Sequence, residues 1–199
     1  MALRRLAQQT VLYGVSTILG RMINYLLVPV YTAIFEPEAY GVVTELYSYV
    51  AVLLVVFTYG METAFFRYSA SDTYRTTEVF HTLQTHLILS SFALGGLLTL
   101  GSENIALWLG YPGQGNYVRW LAWLLMIDAL SALPFAYLRY QNKALKFSLV
   151  KLGAILLNLA FNFFFLILLP RLAENGSGWA KEWYDPDLGV GYVFLSNLL

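Results

Sequence analysis

The chain has 199 residues, of which 58% are hydrophobic and only 12% charged, and its mean hydropathy is +0.59. Soluble domains carry about 25% charged residues, so this composition excludes an ordinary soluble domain. Twelve basic residues balance twelve acidic ones, which leaves no cationic surplus for a nucleic-acid partner, and the lack of cysteine excludes disulfides, thiolate metal sites and cysteine nucleophiles.

The N-terminus, MALRRLAQQTVLYGV, begins with basic residues as a signal peptide does. Its apolar stretch, however, runs well past the usual ~7–15 residues and ends in EPEAYG, without a small-residue cleavage site. It reads as a retained first membrane helix over 10–35. A crossing helix needs about 20 mainly apolar residues. Further runs of this kind lie at 41–66, 80–100, 118–138 and 148–169. A sixth begins at 188–199, GVGYVFLSNLL, and is too short to span a bilayer, so a truncated sixth helix is expected. The expected fold is all-α, a polytopic transmembrane helix bundle forming one lobe over 1–199.

The connections carry their own signals. FEPEAYG is a tight turn punctuated by Pro37 and Gly41. RYSASDTYRTTE is short and polar, and RYQNKALKF is basic. GSENIALWLGYPGQGN holds a small amphipathic piece followed by a Pro-Gly turn. PRLAENGSGWAKEWYDPDLG is the longest loop and the most acidic. Within it Asn175-Gly176-Ser177 is both a glycosylation acceptor pattern and an Asn-Gly turn signal.

Lysine and arginine set the orientation. With the N-terminus in the cytoplasm, the inner segments hold Arg4, Arg5, Arg67, Arg75, Arg139, Lys143, Lys146 and Lys151. The outer segments hold only Arg119, Arg171 and Lys181. Trp108, Tyr111, Trp120, Trp123, Trp179, Trp183 and Tyr184 then gather at the outer interface as an aromatic belt.

Ionisable groups cost about 2.5–3.5 kcal/mol or more inside a bilayer, so they are expected to face the bundle interior or a wet cavity. Those here are Arg21, Glu45, Glu62, His86 and Asp128. Arg21 lies near mid-membrane in the first helix, and Thr10, Thr17, Arg21 and Asn24 share one helical face. Pro29 removes a backbone hydrogen bond further along and bends the outer half. Arg21 reads either as an anion site built on charge-assisted hydrogen bonds or as a structural ion pair with Asp128 or Glu45. Asp128 reads either as a proton or cation site or as a carboxyl held by interhelical hydrogen bonds. Glu62 and Arg67 line an inner vestibule or anchor at the headgroups, Glu45 is solvated near the outer end, and His86 makes a helix contact. No phosphate-binding glycine loop, dinucleotide fingerprint or H-E-x-x-H motif is present, so no enzyme activity and no cofactor are expected.

The run YGVSTILGRMINYLLVPVYTAIFEPEAYGVV at 13–43 resembles the first helix and turn of the polysaccharide exporters and flippases of the multidrug/oligosaccharidyl-lipid/polysaccharide exporter superfamily. The matching positions are Tyr13, Gly14, Ser16, Arg21, Asn24, Pro29, Tyr31, Thr32, Pro37, Tyr40 and Gly41. GMETAFFRYSA at 60–70 is similar to the end of the family's second helix, LPFAYLRYQNKALKFS at 133–148 to the end of its fourth helix and the basic loop after it, and GVGYVFLSN at 189–197 to its sixth helix. The resemblance implies the first six-helix lobe of a two-lobe exporter, facing a C-terminal lobe absent from this chain. It implies a multi-pass protein of the bacterial inner membrane that moves a polyprenyl-diphosphate-linked oligosaccharide by alternating access. On that resemblance Arg21, Asn24 and Arg67 are substrate-binding candidates; Asp128 and Glu62, as ionisable groups within the spans rather than from any family motif, are the proton or ion-coupling candidates. The expected partners are the lipid-linked oligosaccharide, membrane lipids and the second lobe. The alternatives are a multidrug or cation antiporter of the same fold, a non-transporting structural subunit, and a membrane-embedded transferase.

Overall fold

The computed structural model describes residues 14, 18, 22, 25–71 and 73–199. Among the described residues the protein is all-α, without strands. Four stretches are long and apolar enough to cross a membrane: Pro37–Ser69, Thr76–Leu100, Gly115–Tyr140 and Ala144–Glu174. They correspond to the second to fifth expected spans. The first expected span is described from Tyr25 to Ile34, here α1. The described residues fall into two compact units, one holding those up to Leu46 together with Ala144–Leu199, the other Tyr47–Lys143.

The 47–143 unit contains the end of α2 (Pro37–Thr58), α3 (Met61–Ser69), α4 (Thr76–Leu100), α5 (Ser102–Trp108) and α6 (Gly115–Tyr140). Helix α6 packs on α3, α4 and α5 and is the most buried of the spans. The core is Phe65, Val79, Leu87, Leu133 and Ala136. Phe65 is fully enclosed and meets the rings of Phe66, Phe80, Tyr137 and Tyr140 edge-on at 5.6–6.3 Å. Such edge-to-face pairs add about 0.5–1.5 kcal/mol each beyond buried area. Further along, α4 and α6 approach through Gly95, where a Cβ would overlap the Met126 thioether. Hydrocarbon gives helices no hydrophobic reason to associate, so close backbone approach at small residues carries this contact.

The second span is not the continuous helix that 41–66 suggested. It breaks between α2 and α3 at Tyr59 (φ 30) and Gly60 (φ 76). Gly60 adopts the left-handed region freely, whereas Tyr59 holds it under strain. The hydrogen-bond ladder continues into and out of the break, from Tyr59 N–H to the Val55 carbonyl at 2.9 Å and from Ala64 N–H to the Gly60 carbonyl at 3.0 Å. The Tyr59 hydroxyl reaches Ser90 Oγ at 3.0 Å. In the sequence this point is marked by Gly60, with Glu62 two residues on, inside an otherwise apolar stretch.

Helix α6 runs straight through Pro134. Proline has no N–H, which deprives the Leu130 carbonyl of its helical donor. Gln84 of α4 fills the gap, donating its side-chain N–H to that carbonyl at 3.1 Å. Beyond Tyr140, Asn142 turns left-handed (φ 56) and closes the helix with bonds from Asn142 N–H to the Arg139 carbonyl and from Lys143 N–H to the Leu138 carbonyl, each 3.0 Å. This is the 5→2 and 6→1 pattern of a Schellman cap.

The other unit contains α1, the first part of α2, α7 (Ala144–Phe163), a π segment (Phe164–Leu168), α8 (Leu169–Glu174), α9 (Gly178–Trp183), a 3₁₀ turn (Pro186–Leu188) and α10 (Gly191–Leu198). The fifth span therefore extends past Pro170, where the sequence suggested a loop. A wider π turn, Phe164–Leu168, lies directly before Pro170, whose ring nitrogen has no N–H for the Leu166 carbonyl. Asn175-Gly176 then acts as a turn, with Gly176 at φ +86. The remaining acidic loop is short helices rather than open chain, and Asp185 caps the 3₁₀ turn by accepting from Asp187 N–H at 2.9 Å.

Candidate functional site

Of the candidate residues, Arg21 and Asn24 lie outside the described residues, as do Thr10 and Thr17 of the same stripe. Arg67, Glu62 and Asp128 all belong to the 47–143 unit. Glu62, in the first turn of α3, forms an ion pair with Arg139 of α6, Oε1 to Nη2 at 2.7 Å. The same guanidinium lies 5.7 Å from the centroid of the Phe66 ring. A permanent cation thus occupies the Glu62 carboxylate. Any coupling role for Glu62 requires that pair to open.

Arg67 sits five positions after Glu62, about 140° round the helix at 3.6 residues per turn. It is exposed and does not share the Glu62–Arg139 face. Asp128 is exposed on α6 and has no hydrogen-bond or ion-pair partner among the described residues. It precedes Arg139 by eleven positions, which is about 16 Å along a helix axis. Asp128 and Glu62 are therefore two separate places, one near the middle of a span and one near its end. Glu45 is exposed. His86 follows the structural reading, its Nδ1 lying 2.8 Å from the Thr82 carbonyl one turn earlier.

The opposite end of α6 is pinned by Arg119. It donates from Nε to Ser102 Oγ at 2.9 Å, from Nη1 to Asn116 Oδ1 at 2.8 Å and from Nη2 to Glu103 Oε1 at 2.7 Å. Gly115 lies against the Glu103 carboxylate so closely that a Cβ there would overlap it. This arrangement ties α5 to α6 and leaves no donor free at Nε for an anion.

In the other unit a buried polar chain joins three helices. The Tyr31 hydroxyl of α1 donates to Asn162 Oδ1 of α7 at 2.7 Å. Asn162 Nδ2 donates to the Asn158 carbonyl at 2.9 Å, and Asn158 Nδ2 donates to the Ser196 carbonyl of α10 at 3.0 Å. Ser196 Oγ donates back to the Tyr192 carbonyl at 2.7 Å. Asn162 and Ser196 are essentially inaccessible. Sequence reasoning passed over Asn158 and Asn162 because they are uncharged. Their spacing of four within LNLAFNFF, an otherwise apolar helix, was the available signal.

A family model described as "Polysaccharide biosynthesis protein" matches residues 30–169. The chain belongs to that family. The four apolar stretches and this membership fit a multi-pass membrane protein with a role in polysaccharide synthesis or export. No curated protein and no solved structure matches it. In this polysaccharide biosynthesis protein the matched segment covers Tyr31, the Glu62–Arg139 pair, Asp128 and Asn162.

Proposed function

We propose that the protein is a flippase or exporter that carries a polyprenyl-diphosphate-linked oligosaccharide across a bacterial cytoplasmic membrane by alternating access. One observation carries this reading. The residues that match a polysaccharide biosynthesis family lie mostly on helices able to cross a membrane. A step of polysaccharide synthesis performed within the bilayer, on a lipid-linked intermediate, is most simply its translocation. On this reading the protein is a transporter without enzyme activity, its N-terminus is cytoplasmic, and a second lobe supplies the facing half of the cavity.

The diphosphate is the part of the substrate that hydrocarbon resists most. Arg21 supplies a permanent cation and a planar donor fork for it, with Asn24 three positions on in the sequence and Arg67 near the end of its span. The test is export complementation in cells lacking their own polysaccharide flippase. Arg21→Ala abolishes surface polymer at matched expression, and Arg21→Lys restores part of it. Normal polymer with Arg21→Ala overturns the anion-site role.

A cation antiporter of the same fold is favoured by one observation, the exposed Asp128 without a partner among the described residues. A carboxylate at that depth belongs against water or a cation rather than lipid. The two readings part on substrate: the antiporter moves organic cations and leaves surface polymer unaffected.

A further inference from the structure

A cavity of about 310 Å³ opens in the 47–143 unit where α3 ends and α4 begins. Tyr68, Tyr74, Glu78, Val79, Thr82 and Leu83 line it. The two tyrosine rings meet edge to face, 6.1 Å apart at 79°. Glu78 is the only charged side chain in the lining and has no hydrogen-bond or ion-pair partner among the described residues. It lies in the first turn of α4, where the helix dipole favours a negative charge.

The depth of the cavity is set by the spans. One ends at Ser69 and the next begins at Thr76. Tyr68, Tyr74 and Glu78 are within two residues of those ends, at headgroup level. Thr82 and Leu83 lie about 9–11 Å along α4 from its start at Thr76, at the top of the acyl chains. The mouth is therefore aromatic and anionic and the floor mainly apolar. A single carboxylate is too few ligands for a hard divalent ion. Aromatic faces beside a carboxylate suit an organic ammonium. Arg75, the extended N-cap residue between Tyr74 and α4, is exposed and brings positive charge to the chain segment at that anionic mouth.

We propose that this cavity binds the head of a zwitterionic phospholipid with a free amine. The ammonium sits among Tyr68, Tyr74 and Glu78, the phosphate faces Arg75, and the upper acyl chain lies against Val79 and Leu83. The site is independent of the transport reading, and its test does not require transport.

The test is native mass spectrometry of the purified protein titrated with three phospholipids of identical acyl chains: an ethanolamine head, the same head N-acetylated, and a glycerol head. The ethanolamine lipid is retained about 10-fold better than the other two, the tenfold that 1.4 kcal/mol of cation recognition supplies. Glu78→Gln and Tyr74→Leu each bring the ratio close to one, while Arg119→Ala, at the far end of α6, leaves it unchanged. Equal retention of the three lipids by the wild type overturns the proposal. So does displacement of bound lipid by millimolar free ethanolamine without any headgroup preference, which assigns the cavity to a soluble amine instead. A headgroup preference that survives both cavity variants also overturns it, since the selective site then lies elsewhere.

Discussion

The bond from Gln84 to Leu130 offers a quantitative test of how the 47–143 unit is held together. Pro134 removes the N–H that would satisfy the Leu130 carbonyl, and Gln84 replaces it at 3.1 Å. Gln84→Leu deletes this donor. Interhelical hydrogen bonds in membrane proteins average about 0.6 kcal/mol and reach about 1.7. The carbonyl is left with neither donor, which places this bond above that average. A second effect opposes the loss. Gln84 Oε1 is buried without a partner, and the substitution removes that unsatisfied acceptor as well. The single variant therefore understates the bond. A double-mutant cycle with Pro134→Ala isolates it, because the Oε1 contribution is the same in both backgrounds and cancels. In Pro134→Ala the helix regains its own donor, and losing Gln84 matters less. The expected coupling is about 1 kcal/mol, read from reversible unfolding of the purified protein in mixed micelles. A coupling within about 0.3 kcal/mol of zero refutes the idea that Gln84 repairs the proline gap, since independent sites add to within that margin.

Four further outcomes follow from the same geometry. Tyr31→Phe removes the first link of the buried chain to Asn162 and lowers unfolding stability by about 1–2 kcal/mol, whereas the exposed Tyr25→Phe leaves it unchanged. Gly95→Leu drives α4 from α6 at Met126 and lowers the melting temperature, and Met126→Ala in the same chain recovers part of the loss. Arg139→Ala releases Glu62, and because the pair is about half exposed the stability change stays below about 1 kcal/mol; a larger loss would mean the pair is buried against more than Phe66. Asp128→Asn reduces export and flattens its pH profile, and full export with an unchanged profile removes Asp128 from any coupling scheme.

Much of the fold was legible because lipid imposes a coarse rule. Runs such as 80–100 and 118–138 are too apolar and too long for anything but crossing helices, and α4 and α6 extend each by only a few residues. What escaped was fine structure that apolar composition does not encode. The break at Tyr59–Gly60 comes at the end of a Val/Leu run, where a single glycine is a weak turn signal. The continuation past Pro170 depends on a π turn formed by FFLIL, which by itself reads as ordinary helix. Pairings across long stretches of chain escaped as well. Glu62 and Arg139 are each visible in the sequence, but only the packing of α3 on α6 brings them together. Asn158 and Asn162 carry no charge, so within an apolar helix they give a weaker signal than Asp128 or Glu62. Arg21 and Asn24, the residues that the resemblance singled out, lie outside the described residues.

The most direct test of translocation is the sidedness of the lipid-linked intermediate. Spheroplasts from cells depleted of this protein are treated with a membrane-impermeant oxidant of sugars, and the modified and unmodified lipid-linked oligosaccharide are measured. A flippase predicts that depletion leaves the total pool intact or raised while the fraction reached from outside collapses, and that restoring the gene restores access. A fall in the total pool with an unchanged outer fraction would contradict translocation and place the protein in the synthesis of the intermediate.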